Sequence, residues 1–231
     1  MTWWVWVGCA PAERTWTRVE VEVGGEARAA WVSATPAGGP AVLVLHAGRA
    51  ASGAAAERFG PAFAGTQVVA VFPEAAPLPG MTSAWSGPDH GPDPVRDLHF
   101  VDALRAEVER RWSVTTWSVA GASSGAYLTW LVVCRGDRTF DRALIVSRGL
   151  PRTLAGGCRL DPELEVRWVG AADDPGLVDR RQLSVDETRA FLESHAGSSF
   201  EIVPGSAHAW AALDADGALR DLATGPRAAD R

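Results

Sequence analysis

Residues 117–134 read Trp117-Ser118-Val119-Ala120-Gly121-Ala122-Ser123-Ser124-Gly125-Ala126-Tyr127-Leu128-Thr129-Trp130-Leu131-Val132-Val133-Cys134. Trp117 to Gly121 predicts a buried strand, and Ala126 to Cys134 predicts a helix. Between them lies Gly121-Ala122-Ser123-Ser124-Gly125, a GxSxG pattern. A strand that turns tightly into a helix needs residues without bulk at both flanks, which Gly121 and Gly125 supply. Such a turn lifts the Ser123 hydroxyl clear of the sheet. It also sets Ser123 beside a helix N-terminus, where the dipole favours developing negative charge. An ordinary glycine-rich turn has the same composition. The strand before and the helix after make Ser123 a candidate nucleophile.

Outward from this stretch, strands alternate with helices. Thr17 to Val23 has Val19, Val21 and Val23 on one face and Arg18, Glu20 and Glu22 on the other, a half-buried strand. Gly24-Gly25 signals a hairpin, and Glu26 to Ala34 returns. Ala41 to Leu45 and Val68 to Phe72 are apolar at every position, as parallel strands covered on both faces are. A helix is expected from Ala54 to Phe63. The segment from Glu74 to Pro94 holds five prolines and is too long for a simple connection. Pro94 to Trp112 follows as an amphipathic helix, with Val95, Leu98, Val101, Leu104 and Val108 at i, i+3 and i+4 spacings. Further strands are expected at Ala143 to Ser147, Glu165 to Val169 and Ser199 to Val203. Helices are expected at Val185 to His195 and Leu213 to Leu222. The pattern predicts a mostly parallel α/β sheet with helices on both faces and an antiparallel N-terminal hairpin. Ligands of such sheets sit beyond the carboxyl ends of the strands.

A serine hydroxyl needs a base to take its proton. Of the five histidines, His208 stands just after the last expected strand, in Pro204-Gly205-Ser206-Ala207-His208-Ala209-Trp210. His90 lies in the long loop and is a weaker candidate. His99 and His195 belong to helices and are expected at the surface or in structural roles. The base needs a carboxylate to fix its tautomer. Strand Glu165 to Val169 runs into Gly170-Ala171-Ala172-Asp173-Asp174-Pro175. Asp173 is preferred and Asp174 is the alternative, each also readable as a turn or cap residue. The oxyanion needs backbone N–H donors. The amides of Ser124 and Ala47 are the expected pair, with His46 shaping the Ala47 loop on the substrate side. Trp85 and Trp210 are expected to form an apolar wall for the substrate.

These residues occur in the chain order serine, aspartate, histidine. The sequence resembles the α/β-hydrolase serine esterases of the polyhydroxybutyrate depolymerase and feruloyl esterase group over roughly Thr17 to Leu222. The resemblance rests on Val42-Leu43-Val44-Leu45-His46, Val71-Phe72-Pro73-Glu74, Ala84-Trp85, Asp97-Leu98-His99-Phe100-Val101, the Gly121 to Gly125 turn and His208-Ala209-Trp210. The group usually has His-Gly where this chain has His46-Ala47, and His-Gly again where it has Val169-Gly170. The resemblance implies an α/β-hydrolase fold and a carboxylic ester hydrolase working through an acyl-enzyme. It implies no cofactor and no metal. The alternatives are an acyltransferase or thioesterase using the same triad, and a non-catalytic binding protein of the same fold.

Composition narrows the field further. The 231 residues suit a single domain, 1–231, with a core of about 17–222 and a frayed tail at 225–231. A net charge of −6 argues against nucleic acid as partner. The expected partner is a small-molecule or polymer ester, with no membrane span, and the oligomeric state is open. All 22 cationic side chains are arginine, so a phosphate-loop or Schiff-base lysine is excluded. The three cysteines form no zinc spacing. Reduced core thiols are expected, with a Cys134–Cys158 disulfide as the alternative. Met1 to Cys9 reads as a strand without the basic start of a signal peptide, so a cytoplasmic location is expected.

Overall fold

A computed structural model describes residues 15–33, 38–49, 51–77, 83–86, 94–135, 140–212 and 214–225. The expectations for Met1 to Cys9, His90 and the tail beyond Gly225 lie outside the described residues. The described residues build one eight-stranded sheet. Its strands are β1 (Trp16–Val23), β2 (Glu26–Ser33), β3 (Pro40–Leu45), β4 (Val69–Pro73), β5 (Thr116–Ala122), β6 (Arg142–Val146), β7 (Glu165–Ala171) and β8 (Ser198–Val203). The spatial order is β1-β2-β4-β3-β5-β6-β7-β8. The hairpin β1–β2 is antiparallel, β2 meets β4 antiparallel, and β3 to β8 run parallel.

Among the described residues six α-helices cover the sheet: α1 (Ser52–Phe59), α2 (Pro94–Trp112), α3 (Ser124–Val133), α4 (Arg152–Ala155), α5 (Val185–Glu193) and α6 (Ala215–Thr224). The period-2 alternation of a strand sends neighbours to opposite faces. Leu43 and Leu45 of β3 accordingly pack with α2 and α3, while Val42 and Val44 pack with α1 and α6. This is why Ala41 to Leu45 carries no polar residue. The helix expected from Ala54 to Phe63 is divided: α1 ends at Phe59, and Gly60–Phe63, with Pro61, continues as a 3₁₀ turn. Proline lacks the N–H that would carry the α-helix onward.

Two further expectations are corrected. The strand β7 runs two residues beyond Val169, to Ala171, because Ala171 pairs with Val203 of β8. Cys134 and Cys158 form a disulfide rather than free thiols. Cys134 caps the C-terminus of α3, and Arg159 N–H donates to its carbonyl at 3.2 Å, which draws the two cysteines together. Among the described residues no helix is long and apolar enough to cross a membrane.

Candidate active site

The carboxyl ends of β5, β7 and β8 bring three side chains together. Ser123 sits between β5 and α3 with φ +54° and ψ −114°, a conformation few residues other than glycine adopt. Two close approaches make this turn possible. A Cβ at Gly121 would overlap the Gly125 carbonyl and the Thr129 hydroxyl, and one at Gly125 would overlap the Leu45 and His46 carbonyls. The glycines therefore let α3 press against both its own strand and the loop after β3. The hydroxyl of Ser123 lies 2.9 Å from Nε2 of His208.

His208 follows β8 on an irregular segment, and its side chain is 39% exposed. Its Nδ1 lies 2.7 Å from Oδ1 of Asp174, whose side chain is fully buried. The carboxylate accepts, so Nδ1 carries the proton and Nε2 is left to accept from Ser123. Oδ1 of Asp174 also accepts from the Gly176 amide at 2.7 Å, capping the 3₁₀ turn Pro175–Val178. One oxygen of Asp174 thus both caps the turn and meets the His208 ring.

The preference for Asp173 is corrected. Asp173 is exposed, and its amide donates to the Gly205 carbonyl at 2.9 Å. Because β7 ends at Ala171, both aspartates lie in the turn beyond it, where strand alternation no longer assigns the faces. Asp174 is turned inward by its cap to Gly176. Trp85 is corrected too. It is 1% exposed, its ring packs 5.1 Å from that of His46, and its indole N–H donates to the His46 carbonyl at 2.9 Å. It is core, not wall. Trp210 is half-buried against Phe59, with ring centroids 5.3 Å apart, two residues from His208.

His46 is buried, and burial lowers its pKa, which keeps the ring neutral. Its Nε2 accepts from the Ala75 amide at 3.3 Å, so Nδ1 carries the proton and donates to the Ala47 carbonyl at 2.8 Å. The ring thereby orients the Ala47 peptide. Arg49 N–H donates to the Ser83 carbonyl at 2.7 Å and ties the other side of this loop. The amide of Ser124 opens α3, where helix N–H groups have no intrahelical acceptor. The remaining described histidines are away from the site: His99 is exposed on α2, and Nε2 of His195 donates to the Leu164 carbonyl at 2.7 Å.

One supporting pair was not anticipated. Arg28 of β2 and Asp97 of α2 form a buried ion pair at 3.0 Å. The guanidinium lies 4.1 Å over the Phe100 ring and donates to the Glu74 carbonyl at 3.1 Å, while Oδ2 of Asp97 accepts from the Ser86 amide at 2.6 Å. Together they pin the segment that carries Trp85 beneath the His46 loop. An arginine on a strand otherwise reads as a solvent-facing residue, so pattern alone gave no signal. Among the described residues no three His, Cys, Asp or Glu side chains are grouped as metal ligands.

No protein-family model matches the sequence, and no curated protein matches it. Solved structures do match the fold. A ferulic acid esterase superposes with a TM-score of 0.64 at 13% identity, over 91% of this chain and 96% of that one. The chain has the α/β-hydrolase fold. A highly thermostable carboxyl esterase from Bacillus coagulans gives a TM-score of 0.64 at 10% identity, over 84% of this chain and 91% of that one. A thermostable esterase gives 0.59 at 16% identity over 83% of this chain, which spans only 55% of the esterase's length. Within the α/β-hydrolase fold, the carboxyl ends of the strands are where the Ser123, His208 and Asp174 side chains meet.

Proposed function

We propose that this α/β-hydrolase cleaves carboxylic esters, with Ser123 as nucleophile, His208 as base and Asp174 as the orienting carboxylate. The observation that carries this reading is the unbroken chain from Ser123 Oγ to His208 Nε2 at 2.9 Å and from His208 Nδ1 to Asp174 Oδ1 at 2.7 Å. In this reading Ser123 attacks the ester carbonyl and its proton passes to Nε2. The tetrahedral oxyanion is met by the amides of Ser124 and Ala47. The leaving alcohol takes the proton from His208, and water then repeats the cycle on the acyl-enzyme. The half-exposed imidazole favours water as the final acceptor over a dedicated acceptor alcohol. Trp210, with Phe59 behind it, favours an apolar or aromatic group on the side of the base. The esterase names of the structural neighbours agree with this class of substrate.

A chromogenic short-chain p-nitrophenyl ester tests the reading. Wild-type protein turns it over, and Ser123→Ala loses activity by about 10⁶-fold in kcat with an unchanged melt. A wild type without turnover on a panel of acyl lengths favours the binding-protein alternative. Transfer to added alcohols in preference to water favours an acyltransferase.

A further inference from the structure

We propose that Ser147 is a positioning residue for His208, acting through the backbone amide of Ala209. The proposal rests on the reading of His208 given above. Ser147 is the first residue after β6 and is fully buried. Its φ is +56°, where glycine is at ease and other residues are uncommon. A buried hydroxyl is costly unless it is hydrogen-bonded, so an unused serine here would be doubly unfavourable. It is used: the Ala209 amide donates to Ser147 Oγ at 3.0 Å.

The surroundings make this bond more than a local cap. The β6 corner of Val146 and Ser147 joins all three elements that carry the triad. The Ser123 amide donates to the Val146 carbonyl at 3.0 Å, tying the nucleophile turn. The Ser147 amide donates to the Val169 carbonyl at 2.9 Å, tying β7, which leads to Asp174. The Ser147 hydroxyl then holds the residue after His208.

The base has need of such an anchor. Pairing of β8 with β7 ends at Val203, and His208 lies on irregular chain with a partly exposed ring. Before His208, the Asp173 amide holds the Gly205 carbonyl at 2.9 Å. After it, Ala209 itself stands at φ +56°. Fixing the Ala209 amide fixes the peptide plane that leaves His208. The imidazole then has only its side-chain torsions to settle, and the bonds to Asp174 and Ser123 settle those. Without the Ser147 hydroxyl, the peptide would be free to rotate and the Nε2–Oγ line would lengthen.

Ser147→Ala tests this by removing the hydroxyl alone, and Ser147→Gly serves if the first variant does not fold, since glycine suits this backbone. Two measurements are made on each. One is the rate of labelling by a fluorophosphonate; the other is the low-field proton resonance of His208 Nδ1–H shared with Asp174. The expected result is labelling about 10- to 100-fold slower, KM for a p-nitrophenyl ester within about threefold, and a shifted or broadened resonance. A merely structural serine would lower the melting temperature and leave resonance and labelling rate of the folded fraction unchanged, and that result overturns the proposal. If wild-type protein is not labelled at all, the esterase reading fails. The resonance then still decides the positioning claim, because it reads geometry and not turnover.

Discussion

Ser123 and His208 touch, yet the chain holds them by opposite means. Ser123 sits on a turn wedged between β5, α3 and the loop after β3, with backbone carbonyls against Gly125 on the side where any Cβ would lie. Nothing there can yield without moving the sheet. His208 sits on irregular chain, partly exposed, fixed by a few hydrogen bonds from distant residues. The proposed nucleophile is held by packing and the proposed base by polar contacts. Substitutions that disturb the packing around Ser123, as distinct from removal of its hydroxyl, should therefore appear as lost stability, and those that disturb the polar contacts of His208 as lost activity at nearly full stability.

The largest effect expected from the polar side is at the carboxylate. Asp174→Asn keeps the shape but favours the wrong imidazole tautomer, and kcat should fall by about 10⁴-fold. Asp173→Asn should stay near wild type, because its side chain is exposed. Steady-state kinetics on a p-nitrophenyl ester distinguishes the two; equal losses would mean that the buried aspartate does not orient the base.

A matched pair of substitutions sharpens the contrast. Gly125→Ala drives a methyl into the Leu45 and His46 carbonyls. Overpacking of this kind costs about 1–3 kcal/mol, and with about 2–4 °C per kcal/mol for a chain of this size the melt should fall by roughly 2–12 °C. Gly176→Ala drives the same methyl into the His208 ring instead. That ring is partly exposed and swings aside, so thermal melts should barely change while kcat drops by about 10- to 100-fold. Loss of stability in the second variant, or loss of activity without destabilisation in the first, would break the distinction.

The smallest effect concerns pH. His46 is buried and its pKa is lowered, so the unfolded chain binds a proton there more readily than the folded one. The stability this provides is complete above the unfolded value of about 6.5 and is lost as pH falls from there toward the lowered folded value. Denaturant titrations between about pH 7.5 and 5 should show stability falling with acid, and His46→Gln should flatten that slope. An unchanged slope would mean that the ring is not held neutral in the folded protein.

The same division explains what the sequence disclosed. The Gly121 to Gly125 turn is local: its glycines, its serine and the flanking apolar runs are contiguous, so pattern reading located it. The helix Pro94–Trp112 was legible for the same reason. His208 was legible because it follows the last strand, and position relative to a strand end is a coarse property. Asp174 was not separable from Asp173, because the choice depends on where β7 lets go of β8, a matter of pairing between strands. Trp85 misled because a tryptophan in a proline-rich segment resembles an exposed one, while its burial depends on the Arg28–Asp97 pair beneath it. Ser147 carried no signal at all, since its left-handed φ and its bond to Ala209 exist only in the folded chain. The Cys134–Cys158 disulfide stood only as the alternative, because it joins residues 24 apart that no spacing rule connects.

The proposed function stands or falls with Ser123 as the nucleophile, activated by His208 and Asp174. Mass-spectrometric mapping of the fluorophosphonate adduct on the wild-type chain tests it most directly. A single adduct is expected on Ser123, slowed strongly by Asp174→Asn and untouched by Asp173→Asn. An adduct on Ser124 or Ser147, or folded protein that takes no label, would contradict it.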